Sequence, residues 1–234
     1  MSQTEAVRHV VGRPWLSVGM RVAADRVGKV LGPTTLLAPV SLSVGTGQCL
    51  VVRGPNGSGK TTLLRILAGL LEPTSGSATI DGQPVDERRA ATRATVAALI
   101  GAPTAYRALT VADHLTLVDA SWGRDPDTCD ERVEAGLAAL EIDHLGTRFP
   151  HELSSGQSQL FRLALTLFRP SRLLILDEPE QRLDTAKRAL LSDLVRARAD
   201  GGTTVVMASH DPAVTAAVAD VVVDLVAAEA APHG

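Results

Sequence analysis

The residues best placed to do chemistry form a glycine-rich loop, GPNGSGKT, at Gly54–Thr61. Its spacing of glycine, four residues and then Gly-Lys-Thr is the P-loop pattern, in which backbone N–H groups wrap closely around phosphate. Lys60 is placed to reach the outer phosphates of a nucleotide, and the Thr61 hydroxyl is a ligand for Mg²⁺. The apolar LVV before the loop and TTLLRILAGLL after it predict a strand and a helix. This context disfavours the alternative of a chance glycine turn.

A second chemical element is the stretch LLILDEP, Leu173–Pro179, in which an apolar run ends in two adjacent carboxylates. Such a run predicts a strand covered on both faces, and the element has the form of a Walker B strand. Asp177 is placed to hold Mg²⁺, a hard cation that prefers oxygen ligands. Glu178 is placed to orient or deprotonate an attacking water. Two surface acids at a strand end are the alternative, which the P-loop in the same chain disfavours.

The third element, HELSSGQSQL at His151–Leu160, has two small hydroxyl residues and a glycine before an amphipathic run. Taken alone, it predicts an ordinary helix that begins at a serine cap. A helix N-terminus also attracts anions, because its first N–H groups have no partner within the helix. The chain therefore carries two glycine-containing elements suited to phosphate, far apart in sequence.

The elements that must position these groups follow from the apolar pattern. The segment 17–52 is rich in Val and Leu with turn residues between, which predicts short strands. SATIDGQPV at Ser77–Val85 predicts a hairpin with Asp81-Gly82 as its turn. Residues 86–152 are richer in Ala, Leu, Arg and Glu, and DERVEAGLAALEI there predicts a helix. With TTVVMAS at Thr203–Ser209 as a further strand, the alternation of strands and helices predicts an α/β fold with a largely parallel core sheet.

Composition disfavours several classes of protein. The 234 residues, 45% of them apolar, suit one large domain or a core with a subdomain. The net charge is −3 with the signs interspersed, so no nucleic-acid partner is expected, because phosphate-backbone binding needs a basic face. Cys49 and Cys129 belong to no CxxC or His/Cys cluster and are predicted to be reduced thiols, Cys49 in the core. We expect no secretory signal and no membrane span, since the apolar tail segment VADVVVDLVAA is short and carries two aspartates.

Taken together, these elements resemble the motif set of ABC-type ATPases. LSSGQ at Leu153–Gln157 is similar to the LSGGQ signature of that family. The order along the chain also agrees, since LSSGQ lies between the P-loop and LLILDEP. After them come Leu183-Asp184, which resembles the D-loop, and an ASH triplet whose His210 resembles the switch histidine. The resemblance covers roughly residues 20–225.

The resemblance implies an α/β fold of the P-loop NTPase class. This fold has a RecA-like core with a largely parallel sheet, a small antiparallel β subdomain, and a helical subdomain that carries the signature motif. It predicts a single ABC ATPase domain at 17–226, with the helical subdomain at about 88–160 inserted in the core. Residues 1–16 are then an N-terminal extension, and residues 227–234 a C-terminal tail.

The resemblance also accounts for the two phosphate elements, because in this family the signature of one cassette closes over the ATP on the P-loop of another. ATP and Mg²⁺ are implied as ligands, with Thr61 and Asp177 serving the metal ion. Glu178, His210 and Lys60 are implied as the catalytic residues. The nucleotide-binding residues are Gly54, Pro55, Asn56, Gly57, Ser58, Gly59, Lys60, Thr61 and Thr62. The residues acting on the partner's ATP are Ser154, Ser155, Gly156 and Gln157, and Asp184 is implied at the dimer interface.

The partners implied are a second ATP-binding cassette, identical or different, and a separate transmembrane permease subunit. The chain is then cytoplasmic and peripheral on the cytoplasmic face of the cell membrane, where ATP-driven cassette dimerisation powers a transporter. The single cassette and the LSSGQ form favour an exporter-type complex. The segment Thr104–Leu117 is expected near the permease.

The sequence departs from the family's pattern in three places that matter for activity. Ser155 stands where glycine is usual, and because serine is small we expect function to survive. Gly101 stands where the Q-loop glutamine is expected, which leaves the coupling to the permease and the rate of hydrolysis in question. No aromatic residue is evident for stacking on adenine, and Val30 or Leu31 offers an aliphatic contact instead.

Two other functions stay open at this point. A soluble assembly ATPase of the iron–sulfur type uses the same cassette without transport. A degenerate partner in a heterodimeric transporter binds ATP and scarcely hydrolyses it. The missing Q-loop glutamine favours the degenerate partner, whereas the intact Glu178 and His210 count against it.

Overall fold

The computed structural model describes residues 21–101 and 105–226. The predicted N-terminal extension and C-terminal tail lie outside the described residues. In chain order the strands are β1 Val22–Leu31, β2 Thr34–Val44, β3 Cys49–Arg53, β4 Ser75–Ile80, β5 Gln83–Pro84, β6 Val96–Leu99, β7 Leu173–Asp177, β8 Thr204–Ala208 and β9 Val221–Asp224. The α-helices are α1 Lys60–Leu67, α2 Ala90–Thr95, α3 Val111–Ser121, α4 Cys129–Ala138, α5 Ser155–Phe168, α6 Thr185–Asp200 and α7 Pro212–Val218.

Five strands form one parallel sheet in the order β6-β7-β8-β3-β9. The apolar residues of β3, β7 and β8 are buried throughout, because a sheet of this kind is covered on both faces. The strands predicted at LLIL and TTVVMAS and the largely parallel core sheet are therefore confirmed. The three strands end at one edge of the sheet, where ligands bind in folds of this class.

Alternation of side chains along the strands divides the interior into two cores. In β3, Cys49 and Val51 belong to one core, together with residues of α5 and α6. Leu50 and Val52 belong to the other, together with the apolar face of α1 and the inner face of β1 and β2. The thiols of Cys49 and Cys129 are both free, and burial raises the pKa of Cys49 to about 12. The predicted core position of Cys49 is confirmed.

A second, antiparallel sheet has the strand order β2-β1-β4-β5. Its first two strands are 10 and 11 residues long, so the prediction of short strands in 17–52 is wrong for β1 and β2 and holds only for β3, which has 5 residues. Gly28 and Pro39 lie at register shifts, where the long hairpin bends and then continues. β4 and β5 form the predicted hairpin. Asp81 and Gly82 at its turn both have positive φ, 51° and 75°, as a type I′ turn requires.

Helices α2, α3 and α4 and the start of α5 lie within 88–160, the range predicted for the helical subdomain. The same range contains β6, which pairs with β7 in the parallel sheet. The boundary of the subdomain therefore stays a prediction. The helix predicted at DERVEAGLAALEI is α4. No helix among residues 21–101 and 105–226 has both the length and the apolar character needed to cross a bilayer.

Candidate functional site

The glycine-rich loop connects the carboxyl end of β3 to the first residue of α1. Gly54, Gly57 and Gly59 have φ of 147°, 81° and 94°, a region that glycine alone adopts freely. A Cβ added to Gly54 would lie 2.5 Å from the Leu225 carbonyl oxygen, and one added to Gly59 would lie 2.5 Å from the Leu36 carbonyl oxygen. At Gly54 and Gly59 a side chain would therefore collide with neighbouring backbone, in addition to straining the local conformation.

Lys60 is buried at the start of α1, with a relative exposure of 6%. Its ammonium group donates to the carbonyl oxygens of Gly54 and Pro55, at 3.0 and 3.3 Å. It also lies 3.7 Å from a carboxylate oxygen of Glu178. The cation is thus held over the loop, beside the α1 N-terminus, where positive charge and free N–H groups favour an anion.

Thr61 and Asp177 meet where α1 begins and β7 ends, although they lie 116 positions apart in sequence. The Thr61 hydroxyl donates to Asp177 Oδ2 at 2.7 Å. Asp177 Oδ1 is buried and has no hydrogen-bond partner among the described residues. Burial raises the pKa of Asp177, against the lowering effect of the Thr61 hydrogen bond. A buried, unpaired carboxylate oxygen beside a hydroxyl is a donor set that fits a hard divalent cation.

Glu178 follows directly and is held in the left-handed region, with φ of 48°, a conformation that non-glycine residues adopt rarely and mostly at functional sites. Its Oε1 lies 3.0 Å from His210 Nε2. Its Oε2 accepts a hydrogen bond from the side-chain amide of Gln181. The carboxylate that is predicted to act on water is therefore oriented by a histidine and an amide from two different loops.

Glu180 is a buried acid that the sequence reasoning missed. Its exposure is 5%, and its Oε1 accepts from the Ser209 hydroxyl at 2.5 Å and from the His210 backbone N–H at 3.0 Å. Its Oε2 is buried without a partner among the described residues. Because this carboxylate accepts hydrogen bonds from the loop at Ser209–Asp211, Glu180 holds the backbone of His210 in position. A buried acid at this position gives no sequence signal, since its partner lies 30 positions away.

LSSGQ begins α5 as the sequence predicts. The Ser154 hydroxyl accepts from the Gln157 N–H at 3.2 Å, and the Gln157 side chain accepts from the Ser154 N–H at 2.9 Å, a capping box. Ser155 is exposed. A Cβ added to Gly156 would lie 3.0 Å from the Arg182 carbonyl oxygen, so the helix start packs closely on the segment before α6. No hydrogen bond or ion pair of the described residues joins LSSGQ to the glycine-rich loop of the same chain.

Farther along α5, buried Gln159 donates to the Pro179 carbonyl oxygen at 2.8 Å. Arg162 donates to the Gln159 side-chain oxygen at 3.0 Å. A second guanidinium nitrogen of Arg162 donates to the carbonyl oxygen of Gly101, the residue at the predicted Q-loop position. These contacts, which the sequence reasoning also missed, connect α5 to the segment that follows Asp177 and to the Gly101 loop.

The remaining predicted positions lie around this centre. Asp184 is the cap of α6, where its Oδ1 accepts from the Lys187 N–H at 2.8 Å. Val30 and Leu31 are exposed at the end of β1, at 44% and 66%. Thr104, the start of the segment expected near the permease, lies outside the described residues.

Comparison with known proteins gives a consistent result. A family model described as ABC transporter matches residues 37–181, more than half of the chain, a range that includes the glycine-rich loop, LSSGQ and LLILDEP. A sulfate/thiosulfate import ATP-binding protein from Caulobacter vibrioides is 36% identical over 197 residues, which are 82% of this chain and 58% of that protein. A putative ABC transporter ATP-binding protein from Halobacterium salinarum is 36% identical over 181 residues, with 77% and 78% covered.

Another relative, Nod factor export ATP-binding protein I from Cupriavidus pinatubonensis, is 31% identical over 185 residues, which are 79% of this chain and 57% of that protein. The chain thus spans a little over half the length of the Caulobacter and Cupriavidus relatives. A solved dimeric bacterial ABC transporter cassette has a TM-score of 0.79 at 22% identity, covering 88% of this chain and 94% of that one. At this identity the likeness shows the fold, and it confirms the predicted α/β P-loop class with its antiparallel subdomain.

Proposed function

Because the chain belongs to the ABC transporter family of ATP-binding proteins, we propose that it binds and hydrolyses ATP and so powers a membrane transporter. One observation carries the proposal. Lys60, Thr61, Asp177, Glu178 and His210 come from distant parts of the sequence and meet through direct contacts at one edge of the parallel sheet. That edge is also where the glycine-rich loop is built for an anion.

In this proposal the loop from Gly54 to Thr62 holds the triphosphate. The backbone N–H groups of the loop and the α1 N-terminus bind phosphate oxygens, and the Lys60 ammonium balances their charge. Ser58, within this loop, supports the role, because its hydroxyl is buried without a hydrogen-bond partner among the described residues. Val30 and Leu31 offer apolar surface to the base in place of an aromatic ring.

Thr61 and Asp177 are the residues that hold Mg²⁺. When bound, the ion neutralises charge on the phosphates and orients them for transfer. Asp177 contributes the unpaired Oδ1, and Thr61 contributes a hydroxyl that already lies within hydrogen-bond distance of Oδ2. The two side chains therefore need little rearrangement to serve one cation.

Glu178 is the group that accepts a proton from the attacking water. His210 lies against Glu178 Oε1 and keeps the carboxylate oriented, while Lys60 stabilises the charge that develops on the outer phosphate. The left-handed backbone at Glu178 directs its side chain into this group of residues. Hydrolysis thus needs the carboxylate ionised and the histidine in place.

The partners in the proposal are a second cassette and a transmembrane permease, with the chain on the cytoplasmic face of the membrane. Support comes from the exposed LSSGQ helix start, which does not contact the loop of its own chain in the described residues and is shaped for an anion held elsewhere. Ser154, Ser155, Gly156 and Gln157 then act on the partner cassette's ATP, and Asp184 lies at the interface. Export, which the sequence favours, is not specifically supported, since the relatives include an import and an export protein.

A low-turnover cassette is the second candidate, and one observation favours it. Gly101 has no side chain to contact the metal site, and its carbonyl is bound by Arg162. Turnover near zero in the assembled transporter, with ATP binding intact, distinguishes this candidate from the leading proposal. The relatives named above carry transport names, which offers no support to an assembly ATPase.

Substitution of Lys60 by alanine tests the nucleotide site. We expect ATP affinity, measured by fluorescence with a labelled nucleotide, to fall roughly a hundredfold, because a charge-assisted contact is worth about 3 kcal/mol. Lys187→Ala is the matched control, since Lys187 pairs with Glu141 and not with the loop. Unchanged ATP affinity in Lys60→Ala contradicts the proposal.

A further inference from the structure

A cleft of about 400 Å³ lies between α4, α5 and α6. None of the residues proposed for the nucleotide site lines it. Its apolar wall includes Leu140, Leu167, Phe168 and Leu194. A cleft of this size with apolar walls and a few polar groups is suited to a small molecule.

The charge of this cleft is unbalanced. Among the residues that the structure describes, its lining contains no acid and four arginines, which are Arg124, Arg132, Arg169 and Arg198. Asp119, behind the lining, is shared by two of them: Arg124 Nη1 and Arg132 Nε donate to its Oδ1 at 3.0 and 2.9 Å. Its side chain is 2% exposed, and these guanidinium groups, Arg132 first, lower the pKa of Asp119 to about 2. This one carboxylate cannot balance the cations around the cleft.

Two of the four lining arginines make no hydrogen bond to Asp119, namely Arg169, which lies over the Trp122 ring, and Arg198. Among the described residues the Arg198 guanidinium has no carboxylate partner, and it donates to the carbonyl oxygen of Leu167. Burial lowers the pKa of Arg198, and the neighbouring charge of Arg124 lowers it further. Arg124 and Arg198 thus line the same cleft with charges that repel each other, and Arg198 is partly buried without a counter-ion, which is costly. Nothing in the nucleotide chemistry uses either of them.

We propose that this cleft binds an amphipathic organic anion, with its carboxylate between Arg124 and Arg198 and its apolar chain against Leu167 and Phe168. A carboxylate accepts the parallel donors of guanidinium groups and relieves their mutual repulsion. The apolar chain removes the surface of the α5 residues from water. The proposal does not depend on the transport function, because it rests on residues outside the nucleotide site.

The test uses the full chain and three soluble probes, titrated by calorimetry. Octanoate has both the anionic head and the apolar chain, octylammonium has the same chain with the opposite charge, and acetate has the head alone. We expect saturable binding of octanoate and at least tenfold weaker binding of the other two. Equal binding of octylammonium, or no saturable binding at millimolar octanoate, overturns the proposal.

Two variants locate the site. Arg198→Met keeps the stem and removes the charge, and we expect it to weaken octanoate binding at least tenfold. Ala135→Trp fills the cleft, because Ala135 lines it from the exposed side of α4, and we expect it to abolish binding. Ala138→Trp is the control, an exposed position on the same helix that does not line the cleft. An ATP affinity equal to that of the wild type shows that each variant is folded. Octanoate binding by Ala135→Trp as tight as by Ala138→Trp overturns the assignment.

Discussion

At Asp177, one carboxylate oxygen accepts the Thr61 hydroxyl and the other is buried without a partner among the described residues. Burial raises the pKa of this group in the folded chain. The folded state therefore holds the proton more tightly than the unfolded state. The chain without nucleotide loses stability as pH rises from the unfolded pKa through the raised folded pKa, and the loss is complete above it. Affinity for a cation changes in the opposite direction, because the proton competes with the metal ion.

Asp177→Asn separates these two effects. At pH 7 we expect the melting temperature of the nucleotide-free variant to exceed that of the wild type by about 2–4 °C, the change that 1 kcal/mol makes in a domain of this size. The difference should shrink as pH falls and Asp177 is protonated, and Mg²⁺-dependent ATP hydrolysis should be lost at every pH. Calorimetry from pH 3 to pH 8 measures the first effect. A difference that grows toward low pH contradicts the assigned pKa shift.

Glu180 is the second residue whose buried carboxylate serves the site. Glu180→Ala leaves the Ser209 hydroxyl and the His210 N–H without their acceptor, and we expect a loss of about 2 kcal/mol in the free energy of unfolding. Turnover should fall with little change in the ATP concentration at half-maximal rate, because His210 loses its position and the P-loop does not. Glu180→Gln, which keeps an acceptor oxygen, should recover part of the rate.

A double-mutant cycle distinguishes positioning from a general loss of structure. If Glu180 acts through His210, the effects of Glu180→Ala and His210→Ala on turnover are not additive, since the second substitution removes what the first has already displaced. Additive effects show that the two residues act independently.

At the scale of the element, α5 connects three parts of the molecule. Its first turn is LSSGQ, its middle contacts the Pro179 carbonyl through Gln159, and Arg162 reaches the Gly101 carbonyl. Rigid secondary-structure elements of this kind carry energetic coupling between the sites that they connect. At the position predicted for the Q-loop glutamine, this chain has Gly101, whose carbonyl oxygen accepts a hydrogen bond from Arg162.

Gln159→Leu breaks the connection at its centre. It leaves the buried Pro179 carbonyl without its donor, and we expect a loss of about 1–3 kcal/mol in the free energy of unfolding, together with a lower ATP turnover in the assembled dimer. Thr166→Val is the control, because Thr166 is equally buried on α5 but bonds only the Arg162 carbonyl of its own helix. Equal loss of turnover in both variants shows that helix stability, and not the contact with Pro179, controls the rate.

At the scale of the whole molecule, the proposed function requires a second cassette to bring the two phosphate elements together. Glu178→Gln keeps the shape of the site and removes the proton acceptor. We therefore expect turnover to fall by about a hundredfold or more, and ATP to hold two chains together as a dimer. Light scattering with and without MgATP measures the mass. Glu134→Gln, an exposed acid on α4, is the control and should behave as the wild type. A Glu178→Gln chain that stays monomeric with ATP, and shows no closure within its complex, contradicts the two-cassette arrangement.

Much of the nucleotide site follows from local sequence. The glycine spacing at Gly54–Thr61, the serine cap before α5 and the apolar runs of β7 and β8 each depend on neighbours along the chain, so the pattern alone predicts them. The motifs predict that Thr61 and Asp177 bind the same metal ion. The two side chains meet because parallel strands end at one edge of the sheet.

The tertiary structure decided what depends on contacts between distant residues. β1 and β2 are long because they pair with each other in a hairpin, and this pairing accommodates Gly28 and Pro39 within the strands. Three features involve side chains that carry no motif, namely the burial of Glu180, the hydrogen bond from Gln159 to Pro179, and the position of Arg124 and Arg198 in the lining of one cleft. Their chemistry is set by desolvation and by neighbours from other elements. These are properties of the packed chain, and a linear pattern does not contain them.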